Sequence, residues 1–151
     1  MATTMRSVLD RLRRQLDSFT PMSRTVLAVS GDLSCRMSLR VLALEQGWRI
    51  LFADCLEDGL RLQCMNSVSI LVYDCGLPGV EWRHGLRTLL ASHGAIFPIV
   101  VSEVLSPRLR LEVLECGGYD IARNPLDPKH LAALVNGALA LAKSVDSPDS
   151  S

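Results

Sequence analysis

Ile70-Leu71-Val72-Tyr73-Asp74-Cys75-Gly76-Leu77-Pro78-Gly79 is the stretch whose reading decides the fold. An apolar run ends abruptly in one carboxylate, and a Gly/Pro turn follows at once. A short apolar run closed by turn residues reads as a strand buried on both faces of a parallel sheet. Asp74 then stands at the carboxyl end of that strand, where open α/β sheets place their chemistry.

Runs of the same kind recur on either side. Residues 25–29, 49–53, 68–73, 97–101 and 119–122 are short and apolar, and stretches with helical spacing separate them. Trp82, Leu86, Leu89 and Leu90 fall on one face of a helix, as do Cys35, Leu39 and Leu42 in the first connection. Pro107 suits the first turn of the fourth helix, and Gly117-Gly118 suits its end. Asp127 reads as an N-cap with Pro128 at the first helical position. The last helix has an expected core of Leu131, Leu134, Val135, Ala138, Leu139 and Leu141. Strands alternating with helices imply a parallel sheet with right-handed crossovers. Five such units in about 120 residues predict a doubly wound α/β sheet of strand order 2-1-3-4-5.

Residues 1–22 lie before that unit. Met5, Val8, Leu9, Leu12 and Leu16 make an apolar stripe, with Arg6, Asp10, Arg11, Arg13, Arg14 and Asp17 opposite. The pattern predicts an extra amphipathic helix over residues 4–18, ended by Thr20-Pro21. That stripe is either cover for the domain or a homodimer seam. The core unit is expected to run over residues 23–143. Residues 144–151, rich in Ser, Asp and Pro, read as a disordered tail.

Composition narrows the function classes. Apolar residues make up 48% of the chain and charged residues 21%, an ordinary globular balance tilted towards burial. Lys+Arg and Asp+Glu are equal at 16 each, which lends no support to a nucleic-acid or membrane surface. The apolar runs are far too short to span a membrane. No apolar signal core opens the chain, so the expected location is the cytoplasm. Five cysteines (Cys35, Cys55, Cys64, Cys75 and Cys116) give an odd number with no C-x-x-C pair, against a disulfide framework or a metal site. Cys75 reads as a partly buried spectator beside Asp74. The scattered His84, His93 and His130 read as surface residues.

In combination these segments resemble the receiver domains of two-component response regulators, over roughly residues 23–143. Asp74-Cys-Gly-Leu-Pro-Gly is similar to the family's phosphoacceptor Asp and the turn after it. Phe97-Pro98-Ile99-Val100-Val101-Ser102 resembles the fourth strand, which ends in a Thr or Ser. Cys116-Gly117-Gly118-Tyr119-Asp120, followed by Asn124-Pro125-Leu126-Asp127-Pro128, resembles the segment that carries the family's Lys-Pro.

The resemblance implies an aspartyl-phosphate chemistry with four requirements. A carboxylate attacks phosphorus to make an acyl phosphate. Two acids at the end of the first strand hold Mg²⁺, which neutralises the crowded phosphoryl oxygens. A Lys pairs with the phosphoryl group. A hydroxyl bonds to it and carries the switch. Asp74 matches the acceptor. Ser30 and Gly31 fall on the acidic positions, with Asp32 one place late, so Asp32 and Asp74 are the candidate metal ligands. Asp32 equally suits an N-cap for the helix starting at Leu33. Asn124 stands at the position of the Lys, and the adjacent Arg123 points to the opposite face of a strand. Counting back from Gly117 puts the switch hydroxyl at Ser102; counting forward from Pro98 puts Glu103 there. Ile121 occupies the aromatic switch position, and Trp82 stands where the family usually has a small residue.

The expected function is therefore a non-enzymatic receiver-like signalling module, with Mg-dependent phosphorylation weakened or absent and no cofactor. Its last helices would meet a protein partner, either a sensor kinase or a downstream target. Two alternatives remain: a working acceptor at Asp74, and a flavodoxin-like cofactor binder using Ser30-Gly31-Asp32-Leu33-Ser34 around a phosphate.

Overall fold

The apolar run at Ile70 is the centre of the sheet. The computed structural model describes residues 25–92 and 96–145. Within them β1 (Thr25–Val29), β2 (Arg49–Ala53), β3 (Ile70–Asp74), β4 (Phe97–Ser102) and β5 (Asp120–Arg123) pair in the order β2-β1-β3-β4-β5. Every pairing is parallel. The helices are α1 (Leu33–Gln46), α2 (Leu56–Met65), α3 (Trp82–Ala91), α4 (Pro107–Glu115) and α5 (Pro128–Val145). The predicted topology is the observed one.

Alternation along each strand divides the core in two. Val26, Ala28, Ile70, Val72, Ile99 and Val101 face α1 and α5. Leu27, Val29, Leu71, Tyr73 and Val100 face α2, α3 and α4. Burying both faces requires apolar residues at successive positions, which is why the strands read as continuous runs. Strand β3 begins later than expected, at Ile70, and it reaches Asp74. Buried Val68 lies before the strand, where Ser69 opens the ladder by donating its N–H to Thr25 O.

The ends of the helices follow local chemistry. Asp32 is the N-cap of α1, its side chain accepting from Ser34 N. Gly47 closes α1 at φ 75, in the left-handed region that favours glycine. Ser106 caps α4, with Pro107 in the first turn. Leu141, expected in the core of α5, is half-exposed instead. The buried stripe Leu131, Val135 and Ala138 recurs with the helical period, and Leu141 lies off that stripe. Helix α5 continues through Val145, past the boundary at 143. The helix expected over residues 4–18 and the tail 146–151 lie outside the described residues, as does His93.

One close contact fixes the seat of α3. A Cβ at Gly85 would stand 2.1 Å from Tyr73 Oη and 2.9 Å from its Cζ. The Tyr73 side chain is fully buried and fills that space. Only glycine lets α3 approach β3 so closely.

Candidate functional site

The tips of β1, β3, β4 and β5 open into one cavity of about 590 Å³, lined by Gly31, Asp32, Asp74, Cys75, Gly76, Pro78, Ser102, Glu103, Val104 and Asn124. Every predicted site residue is in it. Parallel strands bring these positions together because all their carboxyl ends lie along one edge.

Each carboxylate oxygen of Asp32 and Asp74 meets a donor. Ser30 Oγ donates to Asp74 Oδ2 at 2.7 Å, and Gly76 N donates to Asp74 Oδ1 at 2.8 Å. Ser34 N donates to Asp32 Oδ1 at 3.2 Å, and Asn124 Nδ2 donates to Asp32 Oδ2 at 2.9 Å. The buried Ser30 hydroxyl also accepts from Asp32 N at 3.1 Å. Ser30 therefore links the tips of β1 and β3, and Asn124 links the end of β5 to the start of α1. Asp32 caps α1, as one of its two readings has it, and it also lines the cavity.

Ser102 is the last residue of β4, and its hydroxyl is engaged locally. It donates to Val104 O at 2.9 Å and accepts from Val104 N at 3.2 Å. Both Ser102 and Glu103 line the cavity, so both alignments reach it. Arg123 is exposed, whereas Asn124 lines the cavity. Ile121 is buried against the α4 side of the core. Trp82 packs into the same core, with the Arg83 guanidinium 4.6 Å from its ring centroid.

Sequence reasoning placed Ser30 on a ligand position and missed its bond to Asp74. The signal available was a small hydroxyl residue at a strand tip. It also missed the surroundings of two thiols. Burial pushes the Cys75 thiol up to about 12, and the Asp74 carboxylate adds to the effect. Burial pushes the Cys35 thiol up to about 11, against the hydrogen bond with Ser30. Both are neutral at physiological pH, so neither is a reactive thiolate. Tyr73, whose hydroxyl is buried without a hydrogen-bond partner, is pushed up to about 12 by burial.

Away from the cavity, Asp54, Cys55 and Asp58 are the group among the described residues whose side chains cluster closely enough to share an ion. No helix among the described residues is long and apolar enough to cross a membrane. His84 and His130 are exposed.

No family model matches the chain, and no curated protein matches it in sequence. Solved structures do match. The response regulator receiver domain protein (CheY-like) of Methanospirillum hungatei JF-1 is 18% identical with a TM-score of 0.73, covering 80% of this chain and 97% of that one. The chemotaxis response regulator CheY4 of Vibrio cholerae is 16% identical with a TM-score of 0.69, covering 76% and 97%. The beryllofluoride-activated NtrC4 receiver domain dimer is 17% identical with a TM-score of 0.73, covering 79% and 98%. These likenesses run almost the full length of the known domains, and they concern shape: this chain is folded as response regulator receiver domains are folded.

Proposed function

We propose that this protein is a receiver-like signalling module that works through protein contacts, with Mg-dependent phosphorylation of Asp74 weakened or absent. The observation that carries the reading is the hydrogen-bonding of the two carboxylates. All four oxygens of Asp32 and Asp74 accept from neutral donors supplied by Ser30, Gly76, Ser34 and Asn124. Mg²⁺ demands near-octahedral geometry and gives up its water reluctantly, and here it would compete with these donors for the two carboxylates. These residues do not fit that demand. Asn124 offers an amide where an aspartyl phosphate would need a cation. The two carboxylates of the open cavity are thus already engaged, by two side-chain and two backbone donors.

The module has no enzymatic activity in this reading and needs no cofactor. It acts in the cytoplasm on a sensor kinase or a downstream target, through surfaces that include the last helix. The NtrC4 neighbour is a receiver dimer, which supports testing for a homodimer as well. The test is incubation with acetyl phosphate and Mg²⁺, read by intact mass. The expected result is no phosphoryl adduct under conditions that saturate a working receiver. An adduct that vanishes in Asp74→Asn would overturn the reading in favour of a working acceptor.

A further inference from the structure

The outer side of α1 is apolar where a lone surface helix would be polar. Leu33 is 69% exposed, Met37 59%, Val41 55% and Leu44 81%. They recur at i, i+4, i+8 and i+11, on the side of the helix opposite buried Cys35, Leu39 and Leu42. The stripe therefore points straight away from the domain. Large apolar side chains in a row form a patch that calls for a partner, unlike residues scattered singly.

The two edges of the stripe carry opposite charge. On one edge Arg36 and Arg40 hold their guanidinium groups 5.3 Å and 5.2 Å from the Phe52 ring centroid. On the other edge exposed Glu45 borders a groove of about 290 Å³ between Met37 and Val41 on α1 and Pro128 at the start of α5. At 3.6 residues per turn, Arg40 and Glu45 fall about 140° apart around the helix, one on each side of the stripe. Neither forms an ion pair among the described residues.

A surface marked in this way is complementary to itself. When two copies of α1 pack face to face about a two-fold axis, their relative direction decides which edges meet. In a parallel pair each edge faces the opposite edge of the other copy. Arg40 then meets Glu45 of the second copy, twice over, as charges do where they flank an apolar seam. In an antiparallel pair each edge faces its own counterpart, which sets Arg36 against Arg40 of the second copy. Like charges so placed repel. The charges therefore select the parallel pair. The stripe supplies the attraction: its four side chains expose on the order of 500 Å² per copy, and about 1,000 Å² in total is the size of a weak, reversible interface.

We infer that this face of α1 is a self-association surface, on which a second copy of the chain packs with its own α1 parallel. Met37, Val41 and Leu44 form the seam, and Arg40 pairs with Glu45 across it. The inference rests on the fold and is independent of whether Asp74 accepts a phosphoryl group. Helix α1 starts directly after Asp32, which lines the cavity, so a parallel pair brings both cavities to one end of the dimer.

The test is sedimentation equilibrium of the full chain from low to high micromolar concentration. The parent is expected to pass from monomer to dimer within that range. Arg40→Glu and Glu45→Arg are each expected to weaken the dimer about tenfold, because each turns two attractive pairs into repulsive ones. The two changes together rebuild the pairs with their signs exchanged, so the double variant should return to within about threefold of the parent. Met37→Gln, at the seam, should weaken the dimer about tenfold as well. All three positions are exposed, so the fold survives, and an unchanged circular dichroism spectrum checks this. A monomer at every concentration would overturn the inference, since the stripe then has no second copy on it. So would a dimer that none of these changes weakens, or a double variant that recovers nothing. Strengthening by Arg40→Glu would overturn it too, as the mark of an antiparallel pair.

Discussion

The interior of the sheet and the tips of its strands are built on different terms. Inside, Val26, Leu27, Leu71 and Ile99 are packed on both faces with almost no exposure, and shape decides what fits. At the tips, Ser30, Asp32, Asp74 and Asn124 are joined by directed hydrogen bonds around an open cavity. Packing tolerates few changes in volume. Hydrogen bonds tolerate exchange of a charged partner for a neutral one, provided each donor finds an acceptor. A fold can therefore be kept intact while the chemistry at its edge is rewritten.

Substitutions can break or sharpen this contrast. The largest effect should come from the interior at Gly85→Ala, where the new methyl group would meet Tyr73 Oη at 2.1 Å. The expected loss is about 3 kcal/mol, read by chemical denaturation. Adding Tyr73→Phe should restore part of it, since the hydroxyl is the obstructing atom. If Gly85→Ala melts like the parent, close packing at this contact is not what holds α3.

Raising the pH comes next, because three groups act together. Cys35, Cys75 and Tyr73 have folded-state values of about 11, 12 and 12, above their unfolded values of 9.0, 9.0 and 10.0. The unfolded chain releases these protons first, so stability is full below pH 9 and is lost as pH rises through 9 to 12. Denaturation midpoints measured across that range should fall steadily. A flat profile would place these groups in water.

At the tips the effects should be smaller. Ser30→Ala removes a donor to Asp74 and an acceptor for Asp32 N, with an expected cost of roughly 1–2 kcal/mol. Gly31→Asp fits sterically, because a Cβ there meets nothing within 4 Å, and repulsion from Asp32 and Asp74 should lower stability slightly without Mg²⁺. It should nonetheless raise Mg²⁺ affinity by about tenfold, since one more carboxylate beside Asp32 and Asp74 contributes on the order of 1–4 kcal/mol of attraction. Isothermal titration of both proteins with MgCl₂ checks this. Equal affinities would show that the acidic position is not what limits the cavity.

What could be read from the sequence divides along the same line. The strands were legible because burial on both faces demands apolar runs, and the caps because Asp32, Ser106 and Asp127 act on neighbours a few residues away. The cavity's membership was legible too, since each residue sits at a strand tip. Its bonds were not. Ser30 and Asp74 are 44 positions apart, and Asp32 and Asn124 are 92 apart, so nothing local encodes either pair. The fit of Tyr73 against Gly85 was equally hidden, because a glycine inside a helix pattern does not reveal what approaches it.

Hydrogen bonds that tie the end of α1 and the residue before β2 to α5 bear on the order in which the molecule assembles. Trp48 Nε1 donates to Asn136 Oδ1, and Asn136 Nδ2 donates to Gln46 Oε1. These partners stand 88 and 90 positions apart. Leu131, Val135 and Ala138 complete the same face that Val26 and Leu39 begin. On a ribosome, the first strand and helix emerge long before the segment that closes over them. Until then that face of the nascent sheet is bare, and loop closure over so long a separation is slow. The last described helix is therefore the latch that closes this face.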